Sequence, residues 1–154
     1  MSGRVWLAGL VLVSAAACDD GSGITSPCDL ADTELVGRFF EGTVAEGVEG
    51  DFFNCDFTIE DGPVLTVTVF DYGEADDWST TRQGFVDNRG GVTDVDDLGD
   101  DAFYPNDTGA REMVVRADDR IFSVTVFSGL EAPTVDVIGG IAGLSDAIAE
   151  RLTS

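Results

Sequence analysis

The sequence predicts an α+β domain built on a single antiparallel sheet, with helices packed on one face and one disulfide. Three observations carry this. Residues 53–59, 64–70, 111–117 and 120–127 alternate or are rich in β-branched residues, and they pair off as two hairpins. Helical patterns precede, separate and follow the hairpins, which one sheet with covering helices satisfies. Of three cysteines, two are left for each other once Cys18 is assigned elsewhere. A chain of 154 residues, 44% of them apolar, can bury one sizeable core and is too short for two.

Residues 1–17 read as a signal peptide. Arg4 is their only charge, and the uncharged run from Val5 to Ala17 is shorter than the roughly 20 residues of a bilayer-spanning helix. Ala15-Ala16-Ala17 fits an ordinary Ala-x-Ala cleavage site, which would leave a secreted protein. The same residues before Cys18 resemble the lipobox of bacterial lipoproteins, with Ala15 where Leu is usual. An uncleaved anchor is the third option. The place of Cys18, directly after the apolar run and before a polar stretch, favours lipidation at Cys18. Each buried methylene of the acyl chains would contribute about 0.8 kcal/mol to anchoring. Residues 18–27 follow as a flexible tether, and 28–153 as the domain.

With Cys18 consumed, Cys28 and Cys55 read as a disulfide in an exported, oxidising setting. The alternatives are a two-cysteine metal site, which lacks His partners, and a reactive thiol, which lacks a His base.

Asp29 or Asp32 can cap a first helix carrying Leu35, Val36, Phe39 and Phe40 on one face and ending at Gly42. The Gly-rich stretch 42–51 suggests a short edge strand and a turn. Phe53, Cys55, Phe57 and Ile59 then alternate with polar residues, pointing Cys55 inward, and residues 64–70 complete the hairpin. Residues 75–88 form a helix with Trp78 and Phe85 on one face, and 92–95 a weak strand. The acidic run 94–109 reads as a loop. Residues 111–117 and 120–127 make the second hairpin across the two-residue turn Asp118-Asp119. A last helix opens at Pro133-Thr134; its Gly139, Gly140 and Gly143 either permit close backbone packing or mark a later start.

Charge excludes one class of partner. Against 30 Asp and Glu stand 8 basic residues, all Arg, for a net of −22. Phosphate contacts need clustered positive charge, so no nucleic acid is expected. A folded domain this acidic is repelled by anionic lipid, so any membrane attachment falls to the lipid on Cys18. The acidity reads first as a solvated surface.

Few constellations carry chemistry. Asp94, Asp96 and Asp100 are the weak candidates for a metal. Counted from Asp94, an EF-hand loop would need acids where Leu98 and Pro105 stand. Asp100 reads better as an acceptor for backbone amides near the Gly99 turn. With no His there is no Ser-His-Asp triad, and GIAGLSD (140–146) lacks the Lys of a phosphate loop. Asn106-Asp107-Thr108 reads as a turn.

Pro27-Cys28-Asp29-Leu30, Cys55, and Val95 with Leu98-Gly99-Asp100, Ala102 and Phe103 resemble a family of small actinobacterial lipoproteins of unknown function. Members open their mature domain with Pro-Cys-Asp-Leu-Leu and carry a second Cys in the first core strand. Ala31 and Asp97 depart from that pattern, and Asp56-Phe57 replaces the Trp that often follows the second Cys. The resemblance implies the Cys28–Cys55 bond and an α+β domain; it implies no activity. Together these readings predict an exported module on the outer face of the cytoplasmic membrane, without catalytic residues or cofactor, meeting an envelope protein or small ligand. The alternatives are a hydrolase using carboxylates alone and a calcium-stabilised surface domain.

Overall fold

Alternation of apolar and polar residues becomes one antiparallel sheet in a computed structural model that describes residues 23–61, 65–128 and 134–154. Its strands are β1 (Thr43–Val44), β2 (Val48–Gly50), β3 (Asn54–Glu60), β4 (Leu65–Glu74), β5 (Val92–Val95), β6 (Asp101–Pro105), β7 (Glu112–Ala117) and β8 (Arg120–Ser128). Helices are α1 (Thr33–Gly37), α2 (Trp78–Asn88) and α3 (Val135–Leu152). The strand order is β1-β3-β4-β8-β7-β6-β5, and β2 also lies along β3. Both expected hairpins form, and their second strands β4 and β8 pair at the centre of the sheet.

Register decides what each face buries. Val67, Val69, Phe122, Val124 and Val115 share the face of Cys55, Phe57 and Ile59. Against them pack Leu35 and Val36 of α1 and Ile141, Leu144 and Ile148 of α3. Each such side chain contributes about 1.5–3 kcal/mol by leaving water. Asp32 caps α1 by accepting the Leu35 N–H at 2.8 Å, and Thr134 caps α3 by accepting that of Val137. Two of the three α3 glycines serve close packing: a Cβ on Gly140 would lie 2.7 Å from the Phe39 carbonyl oxygen, and one on Gly143 2.6 Å from the Phe39 ring, while Gly139 faces open space.

The expected one-sided cover holds for α1 and α3, while α2 lies on the opposite face. There Trp78 and Phe85 pack on Phe103, Val114 and Ile121. The cause lies in the second hairpin, where Met113-Val114-Val115 and Ile121-Phe122 are apolar at consecutive positions. Successive side chains point to opposite faces, so these strands need cover on both.

Several boundaries are corrected. The first helix stops at Gly37 instead of Gly42, so Phe39 and Phe40 pack on the core from the connection that follows it. The first long strand starts at Asn54, which leaves Phe53 exposed in the preceding turn instead of inward. The run 94–109 is not all loop, because residues 101–105 form β6 between β5 and β7, with Ala102 opposite Val115 and Phe103 opposite Val114. Ala102 and Phe103 are fully buried, on opposite faces. The predicted tether also ends early, since Ile24 packs on the core and Ser26 caps a 3-10 turn at Pro27–Asp29. Asp29 accepts the N–H groups of Thr25 and Ser26, and Arg120 donates to the Ile24 carbonyl.

Candidate functional site

Of the residues singled out by sequence, Cys28 and Cys55 are bonded. The bond ties the 3-10 turn at the head of the domain to the start of β3, with Cys55 fully buried. The lipidation candidate Cys18 and the signal peptide lie outside the described residues. The metal candidates do not converge. Asp94 pairs with Arg82 at 2.6 Å, Asp96 sits in the β5–β6 turn, and Asp100 accepts the Asp118 N–H at 2.9 Å. Asp100 thus takes a backbone amide from the neighbouring turn, not from around Gly99. Among the described residues no three metal-ligating side chains come together, and no helix is long and apolar enough to cross a membrane.

A polar cluster that the sequence did not reveal lies beside α2. Glu112 opens β7 with its side chain buried, opposite Thr125. Arg89, just past the end of α2, bridges it to Asp107, reaching Glu112 at 3.1 Å and Asp107 at 2.6 Å. Burial pushes the Glu112 carboxyl above its ordinary value, although Arg89 pulls the other way. The hydrogen bond from Arg89 holds exposed Asp107 low. Burial also raises the Tyr72 phenol, which neighbours Ser123, Glu112 and Arg89. A cavity of about 300 Å3 opens in front, lined by Tyr72, Thr80, Thr81, Gly84, Phe85 and Arg89.

Two carboxylates with pKa values driven apart can divide acid and base roles. Here the guanidinium stands between them and engages both, so the position a scissile bond would take is filled. Among the described residues Glu112 is the one buried carboxylate. The group is an internally satisfied ion triad.

Comparison with protein-family models, with characterised proteins and with solved structures finds no match.

The larger cleft is on the α1–α3 side. A cavity of about 630 Å3 lies between the N-terminal half of α3, the connection from α1 to β1, and the end of the first hairpin. Phe39, Phe40, Leu65 and Val137 contribute apolar surface to it; Glu41, Asp61 and Asp136 contribute carboxylates. Gly42 shapes this corner, because its φ of 128° suits glycine and a Cβ there would meet the Glu60 carbonyl oxygen at 2.6 Å. Its walls are about as polar as they are apolar, with three carboxylates among the lining residues.

Proposed function

We propose that the chain is an exported lipoprotein, anchored through Cys18 at the outer face of a cytoplasmic membrane and acting as a non-catalytic binding or accessory module. The Cys28–Cys55 disulfide carries the reading. It forms at the head of the domain, and it leaves Cys18 as the only cysteine without a partner in that bond. Disulfides belong to oxidising compartments, which agrees with an exported chain. The family resemblance points the same way. The acidic-rimmed cleft beside α3 is where a small ligand or an envelope protein would bind.

Intact mass of the protein extracted from membranes tests the reading. The expected product starts at Cys18, carries acyl chains there, and is two hydrogens lighter than its dithiol form. Cys18→Ala should move the protein from the membrane to the soluble fraction. A mature chain without acyl mass, or one with free thiols at Cys28 and Cys55, would overturn it.

A further inference from the structure

We propose that the β2–β3 turn is a membrane contact, with Phe52 and Phe53 entering the interfacial layer of the bilayer that holds the anchor. The inference rests on the anchored reading above.

The tip breaks two local rules at once. Phe52 and Phe53 are 79% and 77% exposed, in a chain that buries Phe57, Phe103 and Phe122 completely. Phe53 also holds a left-handed backbone with φ of 55°, a conformation that glycine or asparagine adopts readily and a bulky residue rarely does. A flexible-turn residue would suit an isolated domain better on both counts. Exposed aromatic side chains on a strained turn mark a surface made for something else. Val48, 65% exposed on β2, adds apolar area on the same hairpin.

The turn is held rather than free. Asn54 accepts the Phe52 N–H through Oδ1 and donates through Nδ2 to Asp56. The Phe53 carbonyl accepts the Asp71 N–H at 2.9 Å.

The same contacts fix where the chain leaves the domain. Asp71 pairs with Arg120 at 3.2 Å, and Arg120 donates to the Ile24 carbonyl at 3.1 Å. The first described residues therefore sit at the end of the sheet that carries the Phe52-Phe53 tip. The Cys28–Cys55 bond ties the following segment to the residue next to Asn54. From Gly23 back to Cys18 is a span of at most about 18 Å at roughly 3.6 Å per residue. An acylated Cys18 thus keeps a bilayer within reach of the tip. Aromatic side chains favour the water–hydrocarbon boundary, so a lipid surface is the occupant that fits. Asp51 beside Phe52 confines the contact to the headgroup layer and makes neutral lipid the better surface.

The test uses full-length, membrane-processed protein carrying Phe52→Trp, reconstituted into phosphatidylcholine vesicles with and without brominated acyl chains. Wild type supplies the Trp78 background, a residue in the α2 core. The added emission should be blue-shifted and quenched about twofold or more by the bromolipid, as for an interfacial indole. Mass of the same sample reports the acyl chains separately. A lipidated protein whose added emission stays solvent-like and unquenched overturns the tip and leaves the anchor standing. An unlipidated protein whose emission is quenched on added vesicles supports the tip while removing the anchor. An unlipidated and unquenched protein overturns both. As a second measurement, amide exchange at residues 51–54 should slow about tenfold on vesicles relative to Cys18→Ser protein in solution. Phe52→Ser with Phe53→Asn, where Asn suits the left-handed backbone, should abolish that slowing while leaving the melting temperature unchanged or higher.

Discussion

Breaking the Cys28–Cys55 bond tests how much of the fold depends on the cross-link. The two residues are 27 apart in sequence. In the chain-entropy relation a loop of that size is worth about 3.5 kcal/mol, through the freedom it removes from the unfolded chain. A folded unit of about 130 residues has an unfolding entropy near 0.27 kcal/mol/K, so the loss corresponds to a fall of roughly 13 °C in Tm. Reduction is the cleaner perturbation, because both sulfurs stay in place; Cys28→Ala with Cys55→Ala adds the loss of buried volume at Cys55, which is fully enclosed. Thermal and urea unfolding, followed by Trp78 fluorescence in oxidised and reduced protein, read the effect. The urea slope should also steepen on reduction, since the unfolded chain then expands further. Midpoints within about 3 °C of each other, with equal slopes, would refute the reasoning. They would mean that buried Leu30 and Ala31, with the Ser26 cap, hold the head of the domain without the bond.

Four further outcomes are expected. Gly139→Ala, where a Cβ meets nothing within 4 Å, should stabilise by about 0.5–1 kcal/mol, whereas Gly140→Ala and Gly143→Ala should each cost about 1–3 kcal/mol by forcing α3 away from Phe39; calorimetry of the three variants checks the ordering. Asp32→Ala should cost about 1 kcal/mol in urea unfolding, because it removes the α1 cap and the 3.0 Å contact with Arg151 of α3. Folded Glu112 titrates above its ordinary 4.5, so its contribution to stability is complete below that pH and is lost as pH rises through the folded value; Glu112→Gln escapes this loss, and its stability relative to wild type should climb between pH 4 and pH 8 in urea titrations. Asp32 runs oppositely, its contribution present above 3.8 and lost as pH falls through its lowered value. Raising salt from about 0.05 M to about 0.5 M should raise Tm, because screening relieves the net charge of −22 more than it weakens ion pairs that are mostly exposed; a falling Tm would show that the pairs dominate.

Local periodicity made most of the sheet legible. The alternation of Cys55, Phe57 and Ile59 placed Cys55 inward, although Phe53, expected on the same face, stands exposed in the turn before the strand; the Asp118-Asp119 turn fixed the second hairpin, and Thr134 marked the start of α3. What escaped was decided by partners distant in the chain. Strand β6 has two strongly apolar residues in an acidic, Gly-containing run, and pairing with β5 and β7 outweighs that composition. The placement of α2 was equally hidden, since the pattern 75–88 gives a buried face for Trp78 and Phe85 without saying which side of the sheet it meets. Glu112 gave no sign of burial. It reads as an ordinary charged strand end, and only Arg89, from a different element, makes its position tenable. The acidic run 94–101 offered a metal reading because residue types were visible and directions were not. The structure sends Asp94 to Arg82 and Asp100 to the Asp118 amide.

The exclusive use of arginine explains how α2 is held. Its sequence is weakly amphipathic, with Trp78 and Phe85 as its buried residues. Three guanidinium groups strengthen the contact, each lying on a ring and meeting a carboxylate. Arg82 stands 5.9 Å from the Phe103 ring centre and pairs with Asp94; Arg89 stands 5.7 Å from that of Phe85 and pairs with Asp107 and Glu112. Arg116 stands 5.7 Å from that of Trp78 and 4.0 Å from Asp101, whose carboxylate also accepts the Trp78 indole N–H. A planar guanidinium can stack and donate from its edge at once, which a lysine ammonium does not do. In a chain with 30 acids and 8 bases, this places scarce positive charge where an 11-residue helix covers only part of a sheet face. It also means that the charges beside α2 are already engaged with one another. Apolar side chains without such partners stand elsewhere, among them those lining the cleft beside α3, Phe127 on β8 and the Phe52-Phe53 tip, and at such places a ligand or a lipid surface would add contacts rather than break them.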